Sequence, residues 1–389
     1  MKSILLTTTA IVAFAGAAAA DGHATPGIAF AGEATLGYND DIEDGFYWDA
    51  EIDTTMTAAL DNGVVAAAEF GLNVVENDLG EAVATSDYVL SLSTDNAALK
   101  FGDLDPVAED NFSPVDGEVP GFNDQDVHFD PTATSPDGVA AVADDPDAGL
   151  GAGFDAILTG EVSAAGWKGM ISFGVEYGND DTVGNGSSTD DDLDAMQLFV
   201  QGDVGPVELQ FAYQDAFLGA DEVYGVAATA TVAGAELKGS YIDDGTENSL
   251  GLGASYPVGP VTVGGYYTIN DVADDNFGVT ADYSAGGLAV SAAYEVTGGV
   301  ADVDDNTNEF TLEGSYEVGQ GVTLFAGVIN TDVEGGDNTN QYYAAGTYDL
   351  GGGAELLVSY AENEANEDDD EIGDPEYLHG TTVELSLAF

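Results

Sequence analysis

The chain has 389 residues, with 73 acidic side chains against 4 basic ones and a formal net charge of −69 at pH 7. That charge excludes nucleic acid and anionic lipid surfaces as partners. A 44% hydrophobic content with 52 Gly and 18 Tyr excludes a disordered acidic tail, and the absence of Cys excludes disulfides and thiolate chemistry.

Residues 1–20 read as a secretion signal. Lys2 supplies the positive start, Ile4 to Phe14 a short apolar core, and Ala18-Ala19-Ala20 a small-residue cleavage site. Cleavage is expected after Ala20, with Ala24 as the alternative. The core is too short to span a membrane as a helix, and no later run reaches 18 uncharged apolar residues.

From about residue 27 onward one unit repeats: strand, tight turn, strand, acidic loop. Hairpins turn at Asp61-Asn62-Gly63, at 94–97, at Ala164-Ala165-Gly166, at Gly205-Pro206, at Ala233-Gly234, at 257–260, at 284–287, at 317–321 and at 349–353. The other connections are longer and acidic, as at 39–45, 178–192, 242–248, 270–276, 295–309, 330–340 and 362–376. Short turns on one side and long loops on the other are the pattern of an outer-membrane barrel. The expected fold is therefore all-β: a transmembrane antiparallel up-and-down β-barrel over 21–389. Nine hairpins with a first and a last strand give a best count of 20 strands, within a range of 16–20.

The phase of the strands places lipid outside and water inside. In 207–214, Val207, Leu209, Phe211 and Tyr213 share one face, and Glu208, Gln210, Ala212 and Gln214 share the other. Asp49, Glu51 and Asp53 form an inner face opposite Trp48 and Ile52. Outward Tyr or Phe near strand ends (Tyr38, Phe46, Tyr177, Tyr213, Tyr256, Tyr283, Tyr294, Tyr316, Tyr348 and Tyr360) suits two interfacial aromatic girdles. The last strand, Val383 to Phe389, alternates to its final residue and is expected to close against the first.

The repeat stops at 103–149, a stretch that holds Pro106, Pro114, Pro120, Pro131, Pro136 and Pro146. Loops of this length without regular structure are usually functional. It follows the fifth strand through Leu99-Lys100-Phe101-Gly102-Asp103. On this step, the loop length, the hairpin repeat and the terminal Phe389, the chain resembles the general diffusion porins of Gram-negative bacteria, in particular the alphaproteobacterial type.

The resemblance implies a passive, water-filled, trimeric channel in the outer membrane whose third loop folds into the lumen and narrows it. It also makes Phe389 an assembly signal. Carboxylates in such a constriction favour cations. The candidates are Asp103, Asp105, Glu109, Asp110, Asp116, Glu118, Asp124, Asp126 and Asp130. Family porins face that loop with a cluster of arginines, whereas this chain has none. By phase Lys100, Lys168 and Lys238 point into the lumen, either paired with lumen carboxylates or as a residual basic wall. In salty medium screening acts over roughly 3–8 Å, so the acidity fits salt adaptation and cation passage alike.

No cofactor is expected, although runs such as Asp190-Asp191-Asp192 and Asp368-Asp369-Asp370 suit weak Ca²⁺ binding. His128 and His379 read as lone surface residues without a catalytic partner, so enzyme activity is not expected. A sugar-selective channel would need a lumen stripe of aromatics, and only Tyr47, Tyr266 and Tyr343 face inward. A secreted acidic Ca²⁺-binding β-protein would need Gly-Gly-x-Gly-x-Asp repeats, which are absent. The expected partners are outer-membrane lipid, small hydrophilic solutes and cations, and further copies of the chain in a homotrimer.

Overall fold

Alternation gives each segment one face for lipid and one for water, and backbone groups held in lipid must all be paired. The chain satisfies both demands as antiparallel strands. In the computed structural model the described residues are 26–42, 45–60, 62–77, 80–84, 88–115, 156–175, 193–216, 222–271, 275–298, 306–336, 338–365, 372–373 and 375–389. Their strands are β1 (Gly27–Asn39), β2 (Phe46–Ala59), β3 (Val65–Asn77), β4 (Gly80–Ala84), β5 (Tyr88–Thr94), β6 (Ala97–Gly102) and β7 (Ala156–Ala164). There follow β8 (Trp167–Val175), β9 (Leu193–Val204), β10 (Val207–Gln214), β11 (Val223–Val232), β12 (Ala235–Asp243), β13 (Asn248–Val258) and β14 (Val261–Asn270). The last are β15 (Asn276–Ala285), β16 (Leu288–Thr297), β17 (Thr307–Gly319), β18 (Val322–Val333), β19 (Asn338–Gly351), β20 (Ala354–Asn363) and β21 (Gly380–Ala388).

Sequence neighbours pair in antiparallel register, and β21 pairs with β1 from Glu33↔Ala388 to Asn39↔Thr382, so the sheet closes. The terminal residue takes part in that seam. Phe389 N–H donates to the Gly32 carbonyl at 2.8 Å, and Gly32 N–H to the Phe389 carbonyl at 3.3 Å. Strand β4 is an outgrowth that pairs with one end of β3, while the other end of β3 pairs with β5. Together β4 and β5 fill one place in the ring, so the barrel has 20 staves, matching the best count from the hairpins.

Turn chemistry sets the short side. At Ala165-Gly166 and Ala233-Gly234 both central residues have positive φ (54° and 83°; 54° and 89°), the geometry whose twist matches paired strands. Outward positions carry exposed apolar side chains such as Leu36, Ile52, Leu99, Val162 and Leu252. Each gains roughly 1.5–3 kcal/mol when lipid replaces water. Outward ring pairs Tyr38–Phe46 (5.2 Å), Tyr88–Phe101 (6.3 Å) and Phe277–Tyr294 (6.4 Å) mark the loop side. Tyr256, Tyr316 and Tyr348 mark the turn side and are exposed. Tyr177 lies outside the described residues.

Candidate functional site

The third loop leaves β6 at Asp103, whose N–H donates to the Tyr88 carbonyl at 2.8 Å. Its described part, 103–115, contains a short helix, α1 (Val107–Asn111). A five-residue helix has more unpaired N–H groups than it can satisfy itself. The lumen wall supplies the acceptors. Val107 N–H donates to Ser172 Oγ of β8 at 3.0 Å, and Ala108 and Glu109 N–H both donate to Gln197 Oε1 of β9, at 2.6 and 3.1 Å. Beyond the helix, Ser113 N–H donates to Gln210 Oε1 of β10 at 3.1 Å, and Val115 N–H to Ser240 Oγ of β12 at 2.8 Å.

The loop therefore runs across the strands along the inner wall. Four strand spacings from β8 to β12 come to roughly 19 Å. Val107 to Asn111 as helix, then Asn111 to Val115 extended, also cover roughly 19 Å. The match explains why one backbone donor after another meets one strand after another.

Apolar packing seats the same segment. Val107, Ala108 and Phe112 bury themselves against Met170, Phe199, Ala212, Val223, Ala227 and Ile242. These six sit at the lumen phase of β8 to β12, where water-facing side chains were expected. Gly251 of β13 admits the end of the loop, since a Cβ there would lie 2.6 Å from Val115 Cβ. A bulge shapes the seat as well. Ser172 pairs with Gln197 and Gly174 with Asp194, so β9 has one extra residue next to Ala195, which has φ 46°. The kink holds Gln197 fully buried, with its Nε2 donating to Gln214 Oε1 at 2.9 Å.

With that face of α1 buried, Asp105, Glu109 and Asp110 are exposed, and Asp103 is half-buried at the strand end. The structure thus brings four of the nine acidic candidates together on one stretch of loop. Asp116, Glu118, Asp124, Asp126 and Asp130 lie outside the described residues, as do the two candidate Ca²⁺ runs, residues 1–25 and His128. Among the described residues no group of three or more His, Asp or Glu is arranged to hold a metal ion.

Lys100, Lys168 and Lys238 lie on the strand face opposite the exposed Leu99, Trp167 and Leu237. Lys168 forms an ion pair with Glu161 at 3.9 Å. Lys238 donates to Ser113 Oγ at 3.0 Å, linking the wall to the third loop. Lys100 is paired in register with Ser91 and Thr159. Among the described residues, carboxylates oppose one another across neighbouring strands, as at Glu33↔Glu51 and Glu295↔Glu309.

The inward tyrosines follow a rule that composition did not reveal. Tyr47 Oη donates to Glu384 Oε2 at 2.6 Å, Tyr343 Oη to Glu313 Oε1 at 3.0 Å, and Tyr266 Oη to Glu295. In each case the ring lies over a glycine of the strand between: Gly37, Gly327 and Gly278. Registers put the three residues in one row, as with Tyr47↔Gly37 and Gly37↔Glu384.

His379 corrects its reading as a lone surface residue. Its Nδ1 meets Asp41 Oδ2 at 3.0 Å, with its side chain 15% exposed. Residues 372–373 and 375–379 fold back onto the lumen wall, which buries Ile372 and Tyr377. Neither the seat under α1 nor this second fold was identified from sequence. The available signal was the run of apolar residues that breaks alternation, as in Leu198-Phe199-Val200 and Met170-Ile171.

Similar solved structures include two variants of the porin of Rhodopseudomonas blastica, at 15% and 17% identity and a TM-score of 0.39 each. Another is a loop-deletion variant of OmpT from Vibrio cholerae, an outer membrane protein, at 11% identity and a TM-score of 0.39. Each likeness covers 94% of this chain and 100% of the other. Overlays this loose carry no weight for function, and no curated protein matches the sequence. The sequence signature described as Gram-negative porin matches residues 7–335 and 250–369. The chain belongs to the Gram-negative porin family.

Proposed function

We propose that the protein is a cation-preferring general diffusion channel with a carboxylate-lined constriction at its third loop. Membership of the porin family supports a passive outer-membrane channel. One observation carries the finer reading. Val107–Asn111 is bound to the lumen wall by its apolar face and its N–H groups, which leaves Glu109 and Asp110 exposed to the water-filled interior. Fixed carboxylates beside a narrow aqueous path attract cations and repel anions. Three lumen lysines, one paired with Glu161 and one with the loop, cannot offset them.

The same reading includes export through residues 1–20 with cleavage after Ala20, insertion guided by Phe389, assembly as a homotrimer, and weak Ca²⁺ binding at the acidic runs. A sugar-selective channel is not favoured. Its aromatic stripe would have to be continuous, whereas Tyr47, Tyr266 and Tyr343 stand on β2, β14 and β19, each tied to a glutamate. Planar-bilayer recording tests the proposal. The protein should give ohmic channels whose zero-current potential in a KCl gradient has the sign of K⁺ preference. Anion preference, or no conductance from folded barrels, would reject it.

A further inference from the structure

Part of the last connection, between β20 and β21, also packs on the inner wall, at Ile372 and Tyr377. Ile372 and Tyr377 exchange backbone hydrogen bonds at 3.0 and 3.1 Å, which closes a tight hairpin. Ile372 and Tyr377 are 0% and 3% exposed, packed with Tyr343, Ala345 and Ala361. Those three are lumen-phase residues of β19 and β20, since Tyr343 pairs with Ala361 and its ring lies over Gly327 on the inner wall. The Tyr343 and Tyr377 rings stand 4.8 Å apart. Gly373, with φ 74°, rests on Tyr343 so closely that a Cβ would lie 2.0 Å from its ring. At its far end the loop is fastened to the β1–β2 connection. Asn39 Nδ2 donates to the His379 carbonyl at 2.7 Å, and His379 meets Asp41.

Position around the ring gives this its meaning. The third loop is seated on β8 to β12. The last loop is seated on β19 and β20, about half of the 20-stave ring away. The two inward folds therefore rise from opposite walls. Pro375 and Glu376 stay exposed beside the buried Tyr377. A ring of 20 staves encloses a wide lumen, because barrel diameter grows with strand number. One loop on one wall leaves much of such a lumen open.

We infer that the described inner part of the last loop, residues 372–373 and 375–379, is a second constriction element, and that ions and solutes pass between it and the third loop. Tyr377 and Ile372 are its anchors and Glu376 stands at its exposed edge. The inference rests on the channel reading above.

Two variants of the full-length protein in planar bilayers test it. Replacing the anchors together, Ile372→Ser with Tyr377→Ser, releases the loop from the wall and should raise single-channel conductance up to roughly twofold. The chain has no Cys, so Glu376→Cys gives a unique target for 2-(trimethylammonium)ethyl methanethiosulfonate, whose bulk and positive charge both oppose cation passage. Modification during recording should lower conductance by roughly half as bulk enters the path. The same reagent on Thr246→Cys, in the exposed β12–β13 loop, should change nothing. Unchanged conductance in a fully labelled Glu376→Cys protein, together with unchanged conductance in the anchor variant, would overturn the inference while leaving the channel reading intact. A wild-type barrel that never conducts would instead remove the channel reading itself.

Discussion

Tyr47 reaches across Gly37 to hydrogen bond Glu384, two strands away, at 2.6 Å. The three residues come from β2, β1 and β21, so the bond spans the seam where the barrel closes. Glycine is required between them because a Cβ at Gly37 would lie 2.0 Å from the Tyr47 ring. Tyr266–Gly278–Glu295 and Tyr343–Gly327–Glu313 repeat the arrangement elsewhere on the wall.

Gly37→Val should therefore destabilise the closed barrel by about 1–3 kcal/mol, the cost of forcing a side chain into filled space. The temperature at which the heat-modifiable band converts on gels should fall. Gly169→Ala serves as the control, since its new Cβ would meet Val162 Cγ2 at an ordinary 3.8 Å. Equal shifts from both would show that the glycine has no special place in the row.

Gln197→Ala removes the acceptor for two backbone N–H groups of the third loop. A buried donor left unpaired costs about 1–3 kcal/mol. The loop should leave its seat, and open-channel noise and conductance should both rise while the barrel still migrates as a folded species. Quiet channels of wild-type size would contradict this anchoring.

Ala233 is held at φ 54° in a two-residue turn. A left-handed conformation costs a residue with a Cβ roughly 1–2 kcal/mol, and Asn tolerates it better. Ala233→Asn should raise the conversion temperature, and a fall would count against the turn geometry.

Asp40 lies in the β1–β2 loop, and its carboxylate accepts the Thr381 N–H at 2.5 Å. That bond chiefly holds its pKa below the ordinary 3.8. A lowered pKa means the bond contributes fully above about pH 4 and is lost as pH falls through the folded value. The Thr381 amide shift should titrate with a midpoint below 3.8 in the wild type, and Asp40→Ala should abolish the titration. A midpoint at or above 3.8 would contradict the bond.

Strand positions and the side of each turn were legible from sequence because a period of two and turn residues are local signals. Val207 to Gln214 shows its phase within eight residues. The seat of the third loop was not legible. Met170, Phe199, Ala212 and Ile242 come from four strands, and only strand register places them under Val107 and Phe112. Their apolar side chains at the lumen phase look locally like noise in the alternation. Histidine 379 was misread for the same reason, its partner Asp41 being 338 residues away in sequence. The acids of the loop could be named from sequence, but the face that leaves Glu109 and Asp110 open could be found only once Gln197 and Ser172 were seen to bind the other.

The most direct measurement is the zero-current potential across a KCl gradient for two charge-neutralised variants. One carries Asp103→Asn, Asp105→Asn, Glu109→Gln and Asp110→Asn on the third loop. The other carries Asp215→Asn, Glu222→Gln, Asp275→Asn and Glu334→Gln, four exposed acids on other loops. Charges farther than a Debye length from the ion path, roughly 8–10 Å at moderate salt, are screened. The first variant should therefore lose roughly half or more of the cation potential and the second much less. Equal losses would show that net charge alone sets selectivity and that the third loop is not the constriction.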